Sequence, residues 1–144
     1  MYITDKKIDT EMFLSPSCDK TCGAAVFFVG VVRNQNHEKA VKGIYYECYE
    51  SMANRQIERI IDVVKERTGV YSIRVLHRVG WLEVGDTAVV VTAASPHRKE
   101  AFLACQSVID RIKGQVPIWK KETYIDGTSE WVICCHQAVH QSQI

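Results

Sequence analysis

No stretch of this chain approaches the roughly 18 consecutive apolar residues of a membrane-spanning helix, so no span is expected. A net charge of +1 over 144 residues leaves no global basic field, which argues against nucleic acid or an anionic membrane surface as a partner. The opening residues M-Y-I-T-D-K-K-I-D-T carry acids and lysines where an export signal has its apolar stretch. A phosphate-cradling glycine loop, a dinucleotide-binding fingerprint and a serine elbow are all missing, as are repeats, linkers and low-complexity segments. Six cysteines (Cys18, Cys22, Cys48, Cys105, Cys134 and Cys135) would suit disulfides in a small secreted chain. Without an export signal they read as reduced thiols, and the chain as cytoplasmic.

What is present is the composition of one globular domain, 47% apolar and 24% charged, long enough over 1–144 to bury a core. Residues 1–22 and 136–144 are expected to be less ordered or more variable. Gly23 to Val32 is a β-prone apolar run and reads as a central strand, followed by a polar loop and a second, aromatic strand at 44–49. From Ser51 to Arg67 the residues Met52, Ile57, Ile60, Ile61 and Val64 recur at helical spacing, with Gly69 as the stop. Strands are expected at 72–79 and 87–94. A second helix then opens with Ser95 as N-cap and Pro96 at its first position, buries Ala101, Phe102, Cys105, Val108, Ile109 and Ile112, and ends at Gly114. Two more strands, near 117–125 and 129–135, complete an α+β arrangement in which two main helices cover a largely antiparallel or mixed sheet.

The most informative stretch is I-D-R-I-K-G-Q-V-P-I-W-K-K-E-T-Y, residues 109–124. It sets Lys113, Lys120 and Lys121 among Ile112, Val116, Ile118 and Trp119. Cations in apolar surroundings are costly unless an anion neutralises them, which points to a small, multiply negative ligand. Solvated surface lysines are the competing explanation. His97 and Arg98 lie on the first turn of the second helix, where free N–H groups and the macrodipole favour anions. Arg33 stands where a buried strand leaves the sheet, a common address for binding residues, and Gly30 before it allows close backbone approach or marks a bulge.

Geometry constrains how these pieces combine. His97 and Lys113 are sixteen residues apart on one helix, about 24 Å at ~1.5 Å per residue. They cannot touch one small ligand within a single copy. If both serve one site, that site joins two copies, which favours a two-fold homodimer. Cys105-x5-Arg111 matches a cysteine-phosphatase spacing but falls in mid-helix without glycines. Cys134-Cys135-His136-x3-His140 and Cys18-x3-Cys22 lack the paired spacing of structural zinc sites, so no metal is expected. His77, alternating on a strand, reads as structural.

The segments F-V-G-V-V-R-N (28–34), H-R-V-G-W-L-E-V-G-D (77–86), S-P-H-R-K-E-A-F (95–102) and I-K-G-Q-V-P-I-W-K-K-E (112–122) together resemble the catalytic, large subunit of molybdopterin synthase. The likeness runs in order over about residues 23–124. It implies an α/β hammerhead-type core and an enzyme that sulfurates cyclic pyranopterin monophosphate to molybdopterin, the dithiolene ligand of the molybdenum cofactor. It implies as partner a small ubiquitin-like carrier whose C-terminal Gly-Gly ends in a thiocarboxylate, one at each end of a central homodimer, giving a heterotetramer. Family substrate contacts match Val31, Val32, Arg33, His97, Arg98, Lys113, Lys120, Lys121 and Glu122. A thiocarboxylate is already a nucleophile, so neither an enzyme cysteine nor a cofactor is needed. Arg33, His97 and Arg98 are expected to hold phosphate or pterin oxygens, and Lys113 and Lys120 to be catalytic. Val31 departs from the polar or basic residue of many relatives.

Overall fold

A computed structural model of the chain describes residues 1–133. Two sheets divide the work of making a core and making a cavity. The first contains β1 (Ile3–Thr4), β2 (Ala24–Val31), β5 (Ser72–Arg78) and β7 (Thr87–Ser95) in the order β1-β5-β7-β2. Only the β1–β5 pair is parallel, so the sheet is mixed. The second contains β3 (Gln35–Asn36), β4 (Lys39–Cys48), β8 (Ile118–Tyr124) and β9 (Ser129–Ile133), with β6 (Gly80–Glu83) also paired to β4. The helices are α1 (Glu11–Leu14), α2 (Glu50–Thr68) and α3 (Arg98–Gln115).

The α+β arrangement read from the sequence is the observed one. β7 is buried almost throughout, and Val91 and Ala93 pack with Ile57, Val64, Val108 and Ile112 of the two long helices. A smaller cluster of Val32, Val41, Ile44, Leu82, Ala88 and Tyr124 fills the space beneath the second sheet. α2 ends at Gly69, where the sequence placed its stop, in the left-handed conformation at φ 73°.

Several local expectations change. Ser95 is the last residue of β7 rather than an N-cap; His97, with φ −123° and ψ 150°, takes that position, and α3 runs one residue past Gly114. Ser95 stays in the strand because its carbonyl accepts the Gly23 N–H at 3.1 Å. Phe102 is 62% exposed and Met52 40% exposed, off the buried stripes assigned to them. α3 is buried on two sides instead, with Ala101, Cys105, Val108 and Ile112 joined by Ala104, Ser107 and Arg111. Contact with both α2 and the sheet widens the stripe in the direction away from Phe102. The N-terminal segment is tied down: β1 pairs with β5, and Ile3 and Ile8 are buried.

The reading of all cysteines as reduced thiols is overturned at one pair, since Cys18 and Cys22 form a disulfide. A tight turn, closed by Asp19 Oδ1 accepting from the Thr21 N–H at 2.8 Å, brings their Cα atoms to 6.0 Å, within bonding range. Cys48 and Cys105 are free. Cys134, Cys135, His136 and His140 lie outside the described residues.

Candidate active site

β8 delivers the cations by strand alternation. Ile118, Lys120, Glu122 and Tyr124 face inward, whereas Trp119, Lys121 and Thr123 face the other side. Lys113 arrives separately, on the last turn of α3, where a cation complements the negative end of the helix dipole. Two adjoining hollows share Val31, Tyr46, Lys113 and Lys120. The deeper one is also walled by His77, Ile109, Ile112 and Ile118, the outer one by Arg33, Asn36, Ile44 and Glu122.

The chain turns into this site through a bulge. The β2–β7 register shifts between Gly30 and Val31, and a Cβ on Gly30 would stand 2.8 Å from Val89 Cγ1. Val31 is thereby 53% exposed at the hollow while Val32 turns into the smaller core at 3%. Val32 also has both backbone groups engaged, donating to the Asp86 carbonyl at 3.0 Å and accepting from the Gly85 N–H at 2.8 Å. Arg33 follows, exposed, on the rim.

Glu122 is 1% exposed, and its Oε1 accepts a 2.6 Å bond from Asn36 Nδ2. A buried carboxylate beside two ammonium groups and a guanidinium reduces their mutual repulsion. Among the described residues neither Lys113 nor Lys120 forms a salt bridge. The hollow therefore keeps unneutralised positive charge facing an apolar wall of isoleucines, an arrangement that takes up anions with an apolar body.

Sequence reasoning passed over three residues that line the site. Tyr46 and His77 meet edge to face, with ring centroids 5.2 Å apart at 75°. His77 is buried, and its pKa is lowered to about 4 by desolvation, with the charge of Lys113 acting in the same direction. Its inward alternation on β5 was readable, but not what lay opposite. Asn36 carries no sequence signal at all.

Other expected site residues are not brought together. Lys121 faces away, its Nζ 5.8 Å from the Trp131 ring centroid, in a cross-strand row with Tyr45. His97 and Arg98 are exposed at the far end of α3. Among the described residues thiol chemistry finds no support: burial pushes Cys105 up to about 11 and raises Cys48, disfavouring the reactive thiolate in both. Cys18, Asp19 and Cys22 cluster closely enough to suggest a cation site, but the two sulfurs are bonded to each other.

The sheets, the two long helices and the hollow lined by Lys113 and Lys120 define a small α+β protein with a cationic pocket at one end of α3. The sequence profile of the MoaE protein family matches residues 3–115, and the chain belongs to that family. It is 37% identical over 129 residues to the molybdopterin synthase catalytic subunit of Thermoplasma volcanium, covering 90% of this chain and 94% of that protein. The crystal structure of molybdopterin synthase from Staphylococcus aureus superposes with a TM-score of 0.85 at 37% identity, covering 91% of this chain and 95% of the other. A chain in the complex of subunits 1 and 2 of the molybdopterin-converting factor from Helicobacter pylori shares the fold, with a TM-score of 0.74 at 23% identity over 95% and 91% of the two chains. By this membership the chain is an enzyme of molybdenum-cofactor biosynthesis.

Proposed function

We propose that this chain is the catalytic subunit of a molybdopterin synthase, converting cyclic pyranopterin monophosphate to molybdopterin with sulfur from the thiocarboxylate end of a small ubiquitin-like carrier. The observation that carries the reading is the hollow where Lys113 and Lys120 meet beside buried Glu122 without a salt bridge. A thiocarboxylate needs no activation as a nucleophile. It needs a cationic guide to its reacting carbon, and charge to stabilise the oxyanion formed when the acyl group is later released.

In this mechanism the carrier's sulfur forms a bond to a substrate carbon as that carbon's bond to oxygen breaks, the oxygen leaving with a proton supplied by Lys113, and the product is a thioester between carrier and pterin. Water, or Lys113 acting as a transient acyl acceptor, then takes the acyl group. The sulfur stays on the pterin as a thiolate, and the carrier leaves as a carboxylate, on the Lys113 route only after water has hydrolysed the amide formed there. Lys113 is the proton donor or acyl acceptor, and Lys120 steadies the oxyanion. Two sulfurs require two carriers in turn, so the half-sulfurated intermediate must be retained by its phosphate and pterin oxygens. Arg33, with His97 and Arg98, suits that task.

His97 and Arg98 reach the same substrate only from a second copy. Helix length supports this, and so does size: the two hollows measure about 70 and 130 Å³, whereas sites for ligands of this class span roughly 300–1,000 Å³. The working unit is then a homodimer with a carrier at each end, placed in the cytoplasm. Among the described residues no helix is long and apolar enough to cross a membrane.

Purified chain, thiocarboxylated carrier and cyclic pyranopterin monophosphate are expected to yield the dithiolene product. Binding of both ligands with no product would assign the chain to a docking role instead.

A further inference from the structure

His77 occupies an unusual position for a core histidine, because one wall of the cationic hollow is its own ring. It sits on β5 at 6% exposure, and its backbone N–H donates to the Tyr2 carbonyl at 2.8 Å. Its Nδ1 lies 2.8 Å from the Arg78 carbonyl oxygen. A carbonyl can only accept, so Nδ1 carries the proton. In the neutral ring, Nε2 is then an acceptor. Desolvation keeps the ring neutral, with a pKa near 4 that the charge of Lys113 helps to depress. The edge-to-face contact with Tyr46 sets the plane of the imidazole.

The charged groups around the two hollows are Lys113, Lys120, Arg33 and Glu122. Only Lys113 and Lys120 share the deeper hollow with His77, and Lys113 is the one whose charge acts on the ring. Lys113 is itself exposed, and its ammonium makes no hydrogen bond or ion pair among the described residues. A lysine on a four-carbon stem has many rotamers open to it when nothing holds its ammonium. A reacting amine needs an anchor to hold it near the attacked atom.

Resting on the sulfur-transfer reading above, we propose that His77 is the positioning residue for Lys113: its Nε2 accepts a hydrogen bond from the Lys113 ammonium in the loaded site and fixes that group against the reacting acyl carbon. His77 touches no reacting atom. Its effect runs through the placement of Lys113, and it leaves substrate capture to the other cations.

Three substitutions separate this role from simple packing. His77→Asn keeps a donor for the Arg78 carbonyl but loses the cavity acceptor. His77→Gln extends an amide oxygen to where Nε2 stands. His77→Phe keeps only bulk. In the complete assay, His77→Asn and His77→Phe are expected to lower kcat by about ten- to a hundredfold with KM within roughly twofold, and His77→Gln to recover most of the loss. A kcat equal to wild type in His77→Asn, or equal losses in Asn and Gln variants that merely track their melting temperatures, would overturn the proposal. Should the variants fail to fold, ring-nitrogen NMR on the unmodified chain decides. The Nε2 resonance should be unprotonated and should move on adding thiocarboxylated carrier, but not in Lys113→Ala. A proton on Nε2, or the same movement in both proteins, refutes it. A wild-type enzyme that forms no product would instead sink the sulfur-transfer reading itself.

Discussion

The two ends of α3 carry the same sign of charge in opposite physical settings. At the C-terminal end Lys113 complements the dipole and overlooks an apolar floor of Ile109 and Ile112. Stability and function ask for the same residue there. At the N-terminal end Arg98 and the N-cap His97 stand in solvent against the dipole, and the His97 side chain makes no capping bond. Such a placement costs on the order of 0.3–1 kcal/mol, so the fold gains nothing from it. The lesson is that the exposed end gives the cleaner functional signal, whereas the enclosed end gives the chemistry.

The strongest way to break the comparison is to remove one end at a time. Lys113→Ala is expected to reduce kcat by at least about a hundredfold, the scale of a lost acid–base group, with a melting temperature only slightly lowered by the lost dipole contact. Arg98→Ala should instead raise KM for the pterin by roughly tenfold, one charge-assisted contact, and spare most of kcat. Mixing the two inactive or weakened proteins then tests whether the ends cooperate across copies. With free exchange and pterin well below KM, half of the dimers are mixed and each has one intact site, so about a quarter of wild-type turnover should return, against roughly a twentieth from averaging the two variants. Simple averaging of the two variants' rates would place both ends in separate functions.

Much of this contrast was legible in the sequence. Spacing alone put His97 and Lys113 about 24 Å apart, and β-prone runs and helical stripes gave the main elements. What escaped depended on partners distant in sequence. Nothing local to Asn36 announces Glu122, 86 residues away. Phe102 reads as core until α2 determines which side of α3 is covered. β6 is too short to be signalled by alternation, and is defined by its pairing with β4. Lys120 and Lys121 look equivalent in a row of cations, but the two-residue period of β8 sends one to the hollow and the other to Trp131.

Acid should weaken the enclosed end selectively. The His77 pKa is lowered from 6.5 to about 4 in the folded chain, so between those values the unfolded state binds more protons. Stability is then fully present above pH 6.5 and falls as pH drops toward 4, by about 3 kcal/mol from this group. Denaturant titrations at pH 7 and pH 4.5 on wild type and His77→Phe measure it. The Phe variant has no proton to bind at this position and should show a shallower slope. Identical slopes would mean that His77 is protonated without cost, and its surroundings are wetter than its burial indicates.

The smallest expected effect probes the exposed end through its support. Gly23 donates its N–H to the carbonyls of Ser95 and Pro96 at 3.1 and 3.2 Å, immediately before His97. A Cβ at Gly23 would stand 2.7 Å from the Pro96 oxygen, a backbone atom that cannot swing aside. Gly23→Ala must therefore push the start of β2 away from the turn that presents His97 and Arg98. Overpacking of this kind costs about 1–3 kcal/mol, and the displaced turn should raise KM a few-fold with kcat unchanged. Gly127→Ala, strained by a φ of 90° in the turn before β9 but with open space around it, is the control. It should lose about 1 kcal/mol of stability and leave KM alone. If both substitutions raise KM equally, loss of stability explains the effect and the exposed end needs no exact placement. If only Gly23→Ala does, the contact of β2 with the Ser95–Pro96 turn is what aims the exposed cations.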